Sequence, residues 1–122
     1  MTQNEKDILL KDLCARLPYG VKCKYYDCCE GDYDEGTICG FERQEYIQID
    51  GVCIHIEEVK PYLFPLSSMT EEQKDIFGKL WWNTHGVNMA MHAIDYLNKN
   101  HFDYRGLIEK GLTIDATGLN IY

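Results

Sequence analysis

Residues 57–73 read EEVKPYLFPLSSMTEEQ, and the fold class turns on them. Before this stretch apolar residues alternate with a period near two, and after it they recur every three to four. Pro61 and Pro65 stand at the joint. Proline donates no hydrogen bond and drives the preceding residue into extended geometry, so the last strand is expected to stop near Val59. Pro61, Tyr62, Leu63, Phe64, Pro65 and Leu66 then form a stiff strap, too apolar for a solvated linker, lying on a surface made jointly by strands and helices. Two overlapping capping boxes follow, Ser68 with Glu71 and Thr70 with Gln73.

Working outward, Thr2 to Glu5 is a further capping box, and Leu10, Leu13, Cys14 and Leu17 make one helical stripe with Leu9 at its edge. Cys14 therefore reads as a core residue, and Pro18 and Gly20 end the helix. From Val21 the period changes: Val21, Cys23 and Tyr25 alternate with Lys22, Lys24 and Tyr26. An irregular segment, 27–36, precedes strands at 37–42, 45–50 and 52–57, with turns at Arg43-Gln44 and Asp50-Gly51. Ile47 and Ile49, then Val52, Ile54 and Ile56, point one way, Cys53 and His55 the other. Past the strap, Ile76, Phe77, Leu80, Trp81 and Thr84 form one helical stripe, and Val87, Ala90, Met91, Ile94 and Leu97 the next. Residues 101–110 suit a short helical turn with Gly111 as its C-terminal cap; 112–122 has no period.

These elements predict a single α+β domain. It comprises an N-terminal helix (1–20), a small curled antiparallel sheet of four to five strands and SH3-like type (21–59), the proline strap (60–69), and two to three C-terminal helices with a tail (70–122).

At 122 residues the chain buries a sizeable core without metal or disulfide support. It has no apolar run near eighteen residues and no basic-then-apolar leader at Met1, which predicts a cytoplasmic protein with no membrane contact. Six cysteines are then expected as reduced thiols. The net charge of −8 is concentrated in residues 21–66, where ten acids face four bases. Such a field disfavours nucleic acid, whose binding needs positive charge against phosphates.

Three blocks, 10–21 (LKDLCARLPYGV), 57–72 (EEVKPYLFPLSSMTEE) and 102–112 (FDYRGLIEKGL), resemble a family of short uncharacterised proteins of phages, prophages and mobile elements of Bacteroides-type gut bacteria. In those relatives the strap reads KPYLRP, with a basic residue where this chain has Phe64. The resemblance implies an accessory protein acting inside a bacterial host cell and brings no catalytic residues with it.

Among candidate sites, Cys23, Cys28, Cys29, Cys53 and His55 are ligand types for zinc, but adjacent Cys28 and Cys29 do not make the usual spaced knuckle. Asp32 and Asp34 alone hint at a calcium loop. No metal or cofactor is expected. His85, His92 with Asp95, and His101 with Asp103 are the possible catalytic parts, without a nucleophile elbow or phosphate loop beside them, and no enzyme activity is predicted. Asp27, Glu30, Asp32, Tyr33, Asp34 and Glu35 form an acidic loop that either is merely solvated or docks a basic protein surface. Trp82, Met89 and Tyr96 fall off their helical stripes and either cover another element or form an interface, including a homodimer seam. Binding of a host or phage protein is the leading expectation. Small-molecule or nucleotide binding between sheet and helices, as in a sponge, is the alternative, and nucleic-acid binding comes third.

Overall fold

The computed structural model describes residues 1–43, 45–82 and 87–122, with the backbone alone described at 82 and 87–90. Helix α1 (Gln3–Arg16) starts from the expected box, Thr2 accepting the Glu5 N–H while Glu5 accepts that of Thr2. Its buried stripe is Leu9, Asp12, Leu13 and Arg16, one residue away from the expected stripe, and Cys14 is exposed. The helix rotates because Asp12 and Arg16 neutralise each other inside, through Nε to Oδ2 at 2.8 Å and Nη2 to Oδ1 at 3.2 Å. Both are fully buried. A polar pair in the core is invisible to a rule that sends every charge outward.

A 3₁₀ turn (Leu17–Tyr19) ending on left-handed Gly20 leads into the strands β1 (Lys22–Asp27), β2 (Asp32–Glu42), β3 (Tyr46–Ile49) and β4 (Val52–His55). Val21, Cys23 and Tyr25 face the core as expected. The β3–β4 turn uses left-handed Asp50 and Gly51, at φ 47° and 88°, the twist a two-residue hairpin needs. In β2 the register shifts between Ile38 and Gly40, a bulge that bends the strand. Gly36 lets β2 pass close to the next hairpin: a Cβ there would stand 2.6 Å from Ile49 Cγ2.

The strap expectation needs correction. A 3₁₀ turn (Ile56–Glu58) follows β4, and a strand, β5 (Val59–Pro65), begins where the last strand was expected to end. Its prolines sit at partner changes. β5 pairs antiparallel with β1 up to Pro61 (opposite Cys23), then parallel with β7 (Ile114–Asp115) at Tyr62 and Leu63, and with β6 (Phe102–Asp103) at Phe64 and Pro65. Each proline thus closes a ladder, where the loss of an N–H costs least. The result is a seven-stranded sheet in the order β4-β3-β2-β1-β5-β6, with β7 also on β5. It replaces the expected four to five strands. Residues 101–110 give β6 and a turn rather than a helix, yet Gly111 caps that turn as expected, with bonds from Gly111 to Ile108 and from Leu112 to Leu107.

Helices α2 (Glu71–Trp82) and α3 (Val87–Lys99) pack on each other. Thr70 and Gln73 make the capping box; Ser68 instead donates to the Pro65 carbonyl. The expected α2 stripe is not buried: Ile76 is 39 % and Trp81 46 % exposed, and Phe77 and Leu80 are half-buried. In α3 Ala93 and Leu97 are buried while Met91 is 57 % exposed. Thr84, Val87 and Ala90 lie outside the described side chains. The main core lies elsewhere, between α1, one face of the bent sheet from β1 through β5, and the segment carrying Leu107 and Leu112. No described helix is long and apolar enough to cross a membrane.

Candidate functional site

The acidic segment is an ordered hairpin. β1 and β2 pair out to Asp27 opposite Asp32, and only 28–31 form the turn, closed by the Gly31 N–H on the Asp27 carbonyl at 2.8 Å. This corrects the irregular 27–36. Tyr26 meets Tyr33 edge to face at 5.2 Å, and the Lys24 ammonium lies 5.0 Å over the Tyr33 ring, cross-strand pairs that hold the register. Strand alternation then divides the predicted site. Tyr33 and Glu35 share a face with Lys24 and Tyr26, whereas Asp27, Asp32 and Asp34 belong to the other and Glu30 caps the tip. Tyr33 is 63 % exposed. Glu35 also accepts the Tyr62 hydroxyl at 2.9 Å, which with burial pushes that phenol up to about 12.

The five zinc-type residues do not converge. Cys23 is buried, its thiol pushed up to about 12 by desolvation and directed at the Gly36 carbonyl. Cys53 donates to Glu42 at 2.8 Å, and that bond, with burial, holds its thiol up. His55 Nδ1 accepts the Glu57 N–H, and its Nε2 lies 3.4 Å from Glu45. Among the described residues only Cys28 and Cys29 come together with a further donor, Asp27, their ligand atoms within 4.8 Å of one another. All six cysteines are free. The proximity of Cys28 raises the Cys29 thiol, which opposes a reactive thiolate.

Of the candidate catalytic pairs, His101 and Asp103 have different partners. Asp103 caps the turn after β6, accepting N–H bonds from Arg105, Leu107 and Ile108 rather than facing His101. His92 and Asp95 are exposed, and His85 lies outside the described residues.

Two arrangements had little sequence signal. The first surrounds the buried ion pair. Arg16 Nη2 also donates to the Phe102 carbonyl at 2.6 Å, and Arg105 Nε reaches Asp12 Oδ1 at 3.1 Å. The Tyr104 ring lies between the two guanidiniums, 5.0 Å from Arg16 and 5.1 Å from Arg105, with its hydroxyl on Asn98. Beside this cluster a mostly apolar groove of about 520 Å³ runs along α2 and α3, lined by Ala15, Trp81, Met91, Ile94, Tyr104 and Arg105. Of the expected interface residues, Tyr96 is half-buried, and the side chains of Trp82 and Met89 lie outside the description. Trp81 and Met91, both expected on buried stripes, stand at the groove instead.

The second is a cleft between sheet and helices, about 440 Å³, where Phe64, Phe102, His101 and Tyr122 meet Gln73 of α2 and Lys99 of α3. His101 takes a left-handed backbone, φ 64°, its carbonyl accepts the Phe64 N–H at 2.8 Å, and its ring stacks on Tyr122. Burial first, then the nearby Arg16 charge, pulls the imidazole down to about 4, so it is neutral at pH 7. Its buried Nδ1 has no hydrogen-bond partner among the described residues.

No family model, curated protein or solved structure matches the chain.

Proposed function

We propose that the protein is a non-catalytic binding protein whose partner is another protein, seated on the groove between α2 and α3. The observation that carries this reading is the exposure of Trp81 and Met91 at one mostly apolar groove, which Ala15, Ile94 and Tyr104 also line. Large apolar side chains gathered on a small domain mark interaction surfaces, and aromatic, Met and Arg residues are those enriched at interface centres. The acidic β1–β2 hairpin supports a partner with a basic rim, since its field speeds encounter at low salt. Likeness to phage and mobile-element proteins in three sequence blocks supports an accessory role that modulates a process of a bacterial host, in the cytoplasm. The chain order of β1–β5, with the fifth strand returning to the first across a 3₁₀ turn, supports an SH3-like reading of that part of the sheet.

The test is differential capture from a Bacteroides-type host lysate with wild type and with the doubly charged Trp81→Asp, Met91→Asp variant. A protein retained by wild type and lost by the folded variant supports the groove. Equal capture by both, or a partner whose binding tracks only Asp32, Asp34 and Glu35, removes it. A second reading, binding of a small molecule or nucleotide, is favoured by the cleft at His101, where stacked rings meet a lysine.

A further inference from the structure

The last β7 bond to the sheet runs from the Ala116 N–H to the Leu63 carbonyl at 2.9 Å. Beyond it, the Thr117 and Leu119 N–H groups bond only to the adjacent Asp115 and Ala116, and the described hydrogen bonds from residues 117–122 to β1 and β5 all come from Tyr122. Its hydroxyl accepts the Lys22 N–H at 2.9 Å and donates to the Tyr62 carbonyl at 2.7 Å. The β1–β5 register, 25 opposite 59 through 23 opposite 61, would next set Lys22 against Tyr62. At that step the phenol stands where a direct ladder bond would be. The ring lies 3.7 Å from the His101 ring with planes 11° apart, and 5.8 Å from Phe64. Open space of about 340 Å³ lies on the Lys22 side and about 440 Å³ on the His101 side.

We propose that this notch between β1 and β5 is a binding site for a neutral phenol, occupied in cis by Tyr122, so that residues 117–122 form a latch which an incoming phenol displaces. The inference deepens the small-molecule reading and is independent of the groove on α2 and α3. The site specifies its ligand chemically. One backbone donor and one backbone acceptor require a group that both accepts and donates from a single atom, which a hydroxyl does; a phenyl ring does neither. A phenolate or a phosphorylated tyrosine lacks the proton for Tyr62. Stacking on a neutral imidazole adds the planar requirement. The latch leaves without breaking a sheet bond, because those end at Ala116. Its departure frees the Lys22 N–H, at the exposed edge of the notch, and the part-buried Tyr62 carbonyl for a ligand hydroxyl.

An intramolecular occupant acts at millimolar effective concentration, so removing it should tighten external binding by about tenfold or more. The full-length protein, Tyr122→Ala and Tyr122→Phe are titrated with p-cresol, toluene, adenosine and N-acetyltyrosinamide, following amide resonances of Lys22, Tyr62 and His101 by NMR. The expected result is p-cresol binding at least about tenfold tighter to Tyr122→Ala than to wild type, with toluene inactive and the shifts centred on Lys22 and His101. If Tyr122→Ala does not fold, Tyr122→Phe, which keeps the ring and loses both hydrogen bonds, carries the comparison. Binding of p-cresol alone assigns a free phenol; added binding of N-acetyltyrosinamide assigns a tyrosine of another chain, and either supports the site. Absence of p-cresol binding to a folded variant overturns it, as does equal binding of toluene. Adenosine binding without p-cresol binding keeps the small-molecule reading and overturns the phenol assignment.

Discussion

α1 and the α2–α3 pair are helices of similar length that meet the same sheet-built body, but their surfaces are inverted relative to expectation. α1 hides a carboxylate and a guanidinium, Asp12 and Arg16, at zero exposure. α2 and α3 leave Ile76, Trp81 and Met91 in solvent. In the first region both Asp12 oxygens are met by Arg16 or Arg105, and of the Arg16 nitrogens Nη1 has no partner among the described residues. In the second, Trp81 stacks on Phe77 at 6.1 Å, yet it, Ile76 and Met91 stay 39 to 57 % exposed. Burial in this protein follows the availability of partners more closely than it follows polarity.

The hardest way to break the contrast is Arg16→Leu. It strands Asp12 in the core with one remaining cation and should cost about 3–5 kcal/mol in urea denaturation. An Asp12→Leu, Arg16→Leu double variant should recover much of that loss. A cost below about 1 kcal/mol for the single change would mean that solvent reaches the pair. Next comes β5: Leu63→Ala, at a fully buried position, should cost about 2–5 kcal/mol, whereas Leu66→Ala, 43 % exposed, should cost well under half as much. Equal losses would restore the picture of a uniform buried strap.

His101 gives a smaller, pH-dependent effect. Its pKa is about 4 when folded and near 6.5 when unfolded, so the unfolded state takes up more protons between these values. Stability is therefore full above about pH 6.5, declines as pH falls toward 4 and levels off below. The ring still meets solvent at its edge, so the loss should be about 2 kcal/mol rather than the full converted shift. His101→Asn tolerates the left-handed backbone and should flatten that part of the pH profile. The smallest effect belongs to the exposed apolar positions of α2 and α3: Ile76→Ser or Met91→Ser should move stability by no more than about 0.5 kcal/mol. A loss of several kcal/mol there would make those residues part of the internal core and erase the comparison.

What the sequence revealed follows the same division. Alternation placed Val21, Cys23, Tyr25, Ile47, Ile49, Ile54 and Ile56 correctly, and Asp50-Gly51 marked its hairpin, because one wet face makes the period plain; Val52, at the hairpin end, is 39 % exposed against expectation. α1 was found but turned by one residue, since periodicity assigns Asp12 and Arg16 outward. β5 was hidden behind two prolines that proved to stand at ladder ends. Two-residue strands such as β6 and β7 are too short to display any period. The acidic hairpin's residues were legible as a charge cluster, though not their separation onto two faces, which depends on a pairing register. Nothing local announces Tyr122, because its site exists only where β1 and β5 part.

The contacts that close Asp12, Arg16 and Lys22 lie 93, 86 and 100 residues away along the chain, at Arg105, Phe102 and Tyr122. During synthesis α1 therefore waits for residues 102–122 before its interior charges gain their remaining partners. Loop-closure entropy over such spans delays the rewarding contacts, so α1 should gain protection from hydrogen exchange later than the local β1–β2 and β3–β4 hairpins. A nascent chain that has not yet reached residue 102 should remain a client for chaperones.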